Sequence, residues 1–427
     1  MTAALFVSAC AVAFAQDDYA DYDFDFDIPA VEDNPFEYGY SIEFKPAALD
    51  LNRGSAAYRL KYESDGRSSL TSQYNLRLQF DGSYRMDDSK IVFKTNTDID
   101  YKFSDLSHGN DLYEGYYSWT PDPSFSLDAG KKVVKWGKGY AWNPVAFIDR
   151  PKDPDDPELA LEGYTLVSAD YIKSYSGSLQ TAALTLVALP VTGDLNPDFA
   201  STGHVNFAGK LYLLWNDTDI DVMFLGGNSM PNRAGLDFSK NLMPNLEIHG
   251  EWARVSHDDS VYIDSAGNRM RRDRAPNSSL LGLRYLDRND ITYIAEYYRN
   301  GYGFSHDEMT AFFSYADTAL GTGNGADIVD AKNLSETVYG RKNLMRRYVY
   351  LKMSWKEPYD ILYFTPGATA IFNVDDGSYS ITPEFVYTPS TNIALRLRLS
   401  LLRGGGGTEY GEKINSNKLE FSIKKYF

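Results

Sequence analysis

Catalysis needs titratable side chains at workable spacing, and this sequence offers few. Its five histidines, His108, His204, His249, His257 and His306, are scattered, and none forms a paired zinc-binding pattern. Glu247, His249 and Glu251 alternate, so in a strand they share one face. With Asp258 they could hold a metal loosely, but polar lining of a water-filled interior accounts for them more simply. A hydrolase would need a serine–histidine pair with an orienting third group. His257 or His204 could be recruited, yet no serine stands out. The run Gly404 to Gly407 lies between two strand-like stretches with no helix to follow, which fits a flexible outer loop better than a phosphate cradle. Cys10 is the only cysteine, so neither an intrachain disulfide nor a cysteine-based metal site can form. No catalytic residue, metal or cofactor is assigned, and an enzyme is not expected.

The most unusual stretch is Gly130 to Tyr164. A strand ending in Trp136-Gly137 runs into Lys138-Gly139-Tyr140-Ala141-Trp142-Asn143-Pro144, then Arg150-Pro151, then a return through Glu162. Pro144, Pro151, Pro154 and Pro157 stiffen it without helix or ladder. Arg150 and Lys152 stand among Asp149, Asp153, Asp155, Asp156 and Glu158, so internal ion pairing could fold the excursion inward. Charges near a pore axis set selectivity.

The elements around it read as strands. Tyr74, Leu76, Leu78 and Phe80 alternate with Asn75, Arg77, Gln79 and Asp81. Ile91, Phe93, Ile99, Tyr101 and Phe103 oppose a face that includes Asp98 and Asp100. Ile393, Leu395, Leu397, Leu399 and Leu401 oppose Arg396 and Arg398. Tyr (33) and Phe (23) are plentiful, and both suit strands and membrane-interface girdles. Mean hydropathy is −0.40, and beyond the N-terminus no apolar run is long enough for a spanning helix. The net charge of −17 argues against nucleic acid as a partner.

Alternation also fits a soluble sheet with one wet face, but the connections separate the two readings. About 18 strands can be marked (16 is the alternative count), the first near 55–64 and the last near 416–427. With the last residue on the periplasmic side, that side receives short turns such as Met86–Asp88, Asn216-Asp217, Arg288-Asn289 and Glu357-Pro358. The opposite side receives 137–162, 258–275, 301–344 and 404–415. The fold expected is all-β: a transmembrane antiparallel β-barrel over 55–427, with long outer loops and short periplasmic turns, in a bacterial outer membrane.

Residues 1–15 end in Ala13-Phe14-Ala15 and read as a signal peptide, although the basic start of one is missing and the true start could lie upstream. Val7-Ser8-Ala9-Cys10 also has the look of a lipoprotein box. Residues 16–54 read as an acidic periplasmic arm, a tail that could also bind calcium, enter the lumen or dock a periplasmic partner. At the other end, Leu419, Phe421, Ile423 and Phe427 run in alternation to a terminal aromatic. This resembles the signal that the barrel-assembly machinery reads in outer-membrane precursors, with Lys425 departing from it.

The Trp-Gly, Asn-Pro, Arg-Pro and Glu series over Leu127 to Pro190 resembles an incompletely characterised group of outer-membrane barrels linked with transport of lipidic and other hydrophobic compounds. Alginate-export and fatty-acid-transport barrels are more distant relatives in architecture. The resemblance implies that Trp136, Gly137, Asn143, Pro144, Arg150, Pro151 and Glu162 shape the pore, and Trp142 in the same loop is counted with them as a constriction residue. Arg396 and Arg398, facing Asp98, Asp100, Glu247 and Glu251, would then set a field across the lumen. The function expected is a passive channel or transporter for small or hydrophobic solutes. The alternative is a barrel scaffold or conduit sheath that houses or docks a partner protein.

Overall fold

The computed structural model describes residues 34–62, 68–103 and 105–427. The expected signal peptide, Cys10 and the arm up to residue 33 lie outside them. Eighteen strands form one closed antiparallel sheet, which accounts for all but a two-stranded hairpin. In chain order they begin β1 (Phe36–Leu51), β2 (Leu70–Met86), β3 (Ser89–Lys102), β4 (Asp105–Asp122), β5 (Phe125–Lys132) and β6 (Tyr164–Ser174). Next come β7 (Leu179–Val191), β8 (His204–Trp215), β9 (Thr218–Gly227), β10 (Arg233–Met243) and β11 (Leu246–Val255). The hairpin is β12 (Asp258–Ile263) and β13 (Arg269–Arg274). The sheet resumes with β14 (Asn277–Leu286), β15 (Ile291–Arg299), β16 (Arg347–Trp355), β17 (Phe364–Asn373), β18 (Tyr379–Ser390), β19 (Ile393–Arg403) and β20 (Asn415–Tyr426).

Each strand of the sheet pairs with the next, and β1 closes on β20 through Ser41–Tyr426, Phe44–Ile423 and Ala48–Leu419. Closure pairs every strand edge, which hydrocarbon demands because an unpaired backbone group there costs several kcal/mol. The outer face carries large apolar side chains in the open, among them Tyr38, Phe80, Phe207, Val222, Leu281 and Phe421. Aromatic rings meet across strands on it, as in Phe44–Tyr74 (6.3 Å) and Tyr74–Tyr101 (6.1 Å). The inner face is polar: Arg77 binds Asp98 at 2.9 Å, and Ser422 donates to Glu43 at 2.7 Å.

The strand count agrees with the sequence reading, but the first strand does not fall where expected. Residues 55–64 do not form it: Ala56–Tyr62 is helix α1, and Ser55 accepts the Tyr58 N–H at 3.1 Å as its cap. The alternation Tyr58, Leu60, Tyr62 imitates a strand, yet Tyr58 and Tyr62 lie one helical turn apart and pack on Leu49 and Leu51. The true first strand is β1, inside what was read as the acidic arm. Its outward row Tyr38, Tyr40, Ile42 and Phe44 was hidden behind the acidic stretch.

The longest connections gather at one end of the sheet, although that end also has short ones such as 228–232 and 374–378. The short-turn end holds such turns as 87–88, 123–124, 216–217 and 391–392. The long-loop end holds the connections after β5, β11, β15 and β19. That after β15 is a helical pair, α2 (His306–Thr322) and α3 (Gly325–Thr337), rather than an open loop. Ser305 and Glu308 cap α2 reciprocally, and Gly323 ends it at φ 66°. Phe304, Phe312, Tyr339, Tyr348 and Tyr410 join these helices in one buried cluster. The glycine run leads into the same cluster. Glu409 is buried and accepts hydrogen bonds from the Tyr348 hydroxyl (2.6 Å) and Asn373 (3.0 Å), so this connection folds into the barrel mouth.

Candidate lumen constriction

The excursion between β5 and β6, residues 133–163, starts with a backbone turn around one carboxylate. Asp149 accepts the N–H groups of Val134, Lys135 and Trp136 at 3.1, 2.9 and 2.8 Å. This closes the loop on itself and buries Trp136 with Val145, Phe147 and Ile148 against the strand wall. The next residues present a run of backbone N–H groups with no helix or strand to satisfy them. Two carboxylates from the wall do so. Glu251 on β11 accepts from Lys138 (2.7 Å), Gly139 (2.6 Å) and Val145 (3.2 Å). Glu296 on β15 accepts from Tyr140 and, at 2.9 Å, from Ala141. Charge-assisted bonds of this kind are roughly twice as strong as neutral ones.

Two glycines make the approach feasible. Gly137 sits at φ +96°, and a Cβ there would stand 2.5 Å from Asn143 Nδ2 and 2.8 Å from Glu251 Oε1. On β14, a Cβ at Gly282 would collide with His249 Nε2, the atom that meets Glu296 at 2.9 Å. Beyond this anchor Trp142 stacks 5.1 Å from Tyr298 and lies 5.7 Å from Tyr348.

The far part of the excursion grips a different wall. Both Asp156 oxygens receive Arg396 at 3.0 Å, a two-point fork. Arg396 also bonds Glu384 at 2.5 Å, and Arg398 donates to the Asp155 carbonyl. Lys352 reaches Tyr140 Oη (2.5 Å) and Glu158 (3.2 Å), while Tyr140 donates to Glu158 at 2.6 Å. Burial works to raise the Asp156 pKa, but the arginines win and hold it below the usual carboxylate range. Since β11 and β19 are not neighbours around the barrel, a segment bound to both crosses the interior.

What remains open is uneven. Between residues 155–158 and the β16–β19 wall the free space is about 10 Å³, room for roughly one water. On the other side a cavity of about 850 Å³ runs along β10, β11, β14 and β15. Arg233 and Tyr302 line it near the long-loop end, and Glu247 and Arg284 line it near the short-turn end.

The residues singled out from sequence fall as follows. Trp136, Gly137, Trp142, Asn143, Pro144, Arg150 and Pro151 all line this cavity. Glu162 does not; it pairs with Lys131 and, at 3.3 Å, with Arg150 at the root of the excursion. Arg150 also pairs with Asp198 and lies 4.7 Å over the Tyr164 ring, so its main partners are not the neighbouring acids. Arg396 and Arg398 meet Glu384 and Asp156, Asp98 meets Arg77, and Asp100 meets Lys102 at 3.0 Å. Each charge is largely answered on its own wall, which weakens a field across the lumen. Glu247 and His249 sit 3.7 Å apart, and among the described residues no group of His, Cys, Asp and Glu could hold a metal ion. Phe421, Ile423 and Phe427 face outward on and just beyond β20, and Phe427 stacks on Tyr40 at 4.5 Å. Sequence reasoning missed Glu296, Lys138 and Arg233. A glycine in a strand interior was an available sign that something bulky crosses: a Cβ at Gly235 on β10 would stand 2.8 Å from Val145 and 2.9 Å from Phe147 of the excursion.

No known protein family matches the sequence, and no curated protein does. Solved structures do. OccK11 (OpdR) of Pseudomonas aeruginosa is 11% identical, covering 91% of this chain and 96% of that one, with a TM-score of 0.50. Wzi of Escherichia coli, an outer-membrane protein involved in group 1 capsule assembly and described as a carbohydrate-binding β-barrel, is 9% identical. It covers 90% of this chain and 83% of its own, with a TM-score of 0.53. The chain has the fold of an outer-membrane barrel. At such identities the likeness is one of fold alone.

Proposed function

We propose that this protein is an outer-membrane channel through which small solutes diffuse, rather than an enzyme. The long-loop end faces outward and the short-turn end faces the periplasm. The observation that carries this reading is the lopsided filling of the lumen. Residues 133–163 cross it and leave about 10 Å³ against the β16–β19 side but about 850 Å³ beside β10–β15. A purely structural plug has no need of such a passage, and transport requires one. Trp136, Gly137, Trp142, Asn143, Pro144, Arg150 and Pro151 shape its rim, with Glu162 fixing the root. The exposed row Phe421, Ile423 and Phe427 on the closing strand would present the assembly signal, and residues 16–33 would remain as a short periplasmic arm after removal of the signal peptide.

The test is conductance of the purified, folded protein in a planar bilayer, with and without residues 138–161. Discrete channels that widen on deletion would support a pore with this segment as its constriction. Silence in both, with heat-modifiable migration showing folded barrels, would overturn it in favour of a scaffold that houses or docks a partner.

A further inference from the structure

The cavity beside β10–β15 has a chemistry at odds with the rest of the molecule. The chain carries a net charge of −17, and many interior cations form an ion pair, as Arg77, Lys131, Lys138, Arg396 and Arg398 do. Four cations lining this cavity do not. Lys135, Lys152, Arg233 and Arg284 form no ion pair among the described residues, and Lys152 is spent on the carbonyls of Gly139 and Tyr140 at 2.8 and 3.2 Å. The acids on the same lining are already engaged. Asp149 holds three backbone N–H groups, Glu158 holds Tyr140 and Lys352, and Glu247 sits beside His249 and Ser239.

The unmet hydrogen-bonding groups point the same way. Trp136 Nε1, Trp142 Nε1, Arg150 Nε and Arg233 Nε are buried donors without an acceptor, and all four residues line this cavity. Asn143 Oδ1 is the unmet acceptor beside them. These atoms have no surface on the cavity as it stands, and a small side-chain rotation would present them to an acceptor, relieving a cost of about 1–3 kcal/mol each. The volume of about 850 Å³ is that of a small-molecule site, and Tyr140, Tyr298 and Tyr302 offer ring faces.

We infer that this cavity is a binding site for small organic anions, solutes of sugar-acid or aromatic-acid size with an oxyanion head group. Arg233 and Arg284 mark its two ends. This rests on the channel reading only for its transport consequence. An anion enters at Arg233, exchanges part of its water for the cations along the wall, and leaves past Arg284. Weak binding at several sites rather than one deep well suits passage.

The experiment uses glucuronate, glucose and glucosamine, which share a ring and differ in charge. Quenching of tryptophan fluorescence in the detergent-folded barrel reports binding, and the reversal potential in a potassium chloride gradient reports selectivity. Glucuronate is expected to quench saturably and the other two not. The Arg233→Gln, Arg284→Gln double variant should weaken that response about tenfold or more and move the reversal potential toward cations. Equal responses to the three sugars, or an unchanged response in a folded double variant, would overturn the site. A protein that binds glucuronate but never conducts keeps the site and loses the channel. One that conducts without discriminating does the reverse.

Discussion

The two walls that hold the crossing segment do so by different means. Against β16–β19, side chains meet side chains: Asp156 and Glu158 are gripped by Arg396, Arg398 and Lys352, and about 10 Å³ is left over. Against β11 and β15, wall carboxylates meet backbone N–H groups, and about 850 Å³ stays open beside them. A salt-bridge contact brings two side-chain surfaces together and fills the space between them. A carboxylate that takes up bare backbone needs only a narrow contact, so the segment can be fixed at a few points with room alongside. One wall therefore seals and the other anchors.

The sharpest way to break the contrast is to remove an anchor. Glu251→Ala leaves the Lys138, Gly139 and Val145 N–H groups unmet in a buried site, and should cost about 3–5 kcal/mol locally. Trypsin cleavage within 138–152 should accelerate sharply while the barrel stays heat-modifiable. Protection equal to that of the unchanged protein would show that the carboxylate is not the anchor. Next comes the seal. Arg396→Gln with Arg398→Gln removes the fork on Asp156, worth about 1.5–3 kcal/mol per charged contact, and should open the second side, raising single-channel conductance severalfold. No change would mean that the segment is held by its anchors alone.

The seal should yield to acid only well below neutral pH. The folded pKa of Asp156 lies below that of an unfolded aspartate, about 3.9. The stability it contributes is therefore complete above that value and lost as pH falls through the lowered one. The rise in conductance that belongs to the seal should come only below about 4, and Asp156→Asn should abolish that step. The smallest effect belongs to Lys342→Ala, which removes a half-exposed pair with Asp153 (2.7 Å); it should cost under about 1 kcal/mol and leave conductance unchanged. A large effect there would extend the seal toward α3.

The barrel was legible because period-2 alternation and loop sorting are both local and redundant across many strands. Tyr74 to Asp81 announces an in–out face without knowledge of its partner, and short turns such as Asn216-Asp217 announce their end. The first strand was missed because acid density masked the row Tyr38 to Phe44, while Tyr58, Leu60 and Tyr62 in α1 mimicked it. The crossing segment was recognisable by its prolines, glycines and tryptophans, but not its contacts. Arg396 and Glu251 read equally well as lumen lining, and nothing in their spacing says that one grips a side chain and the other a backbone. Glu296 was silent, a single acid in an aromatic strand, since its partners Tyr140 and Ala141 lie more than 150 residues away.

The seam between β1 and β20 also constrains how the molecule can come into being. The hydrogen bond from Ser422 to Glu43 joins positions 379 apart in the chain, so the earliest strand is matched only by the latest. Until that strand is made, β1 and β19 would each present a ladder of unanswered amides, which neither lipid nor a crowded aqueous compartment tolerates without risk of aggregation. Folding is thus a wait followed by a zip: the chain must be kept in escort as an open ribbon, and insertion succeeds or fails at a single closing event.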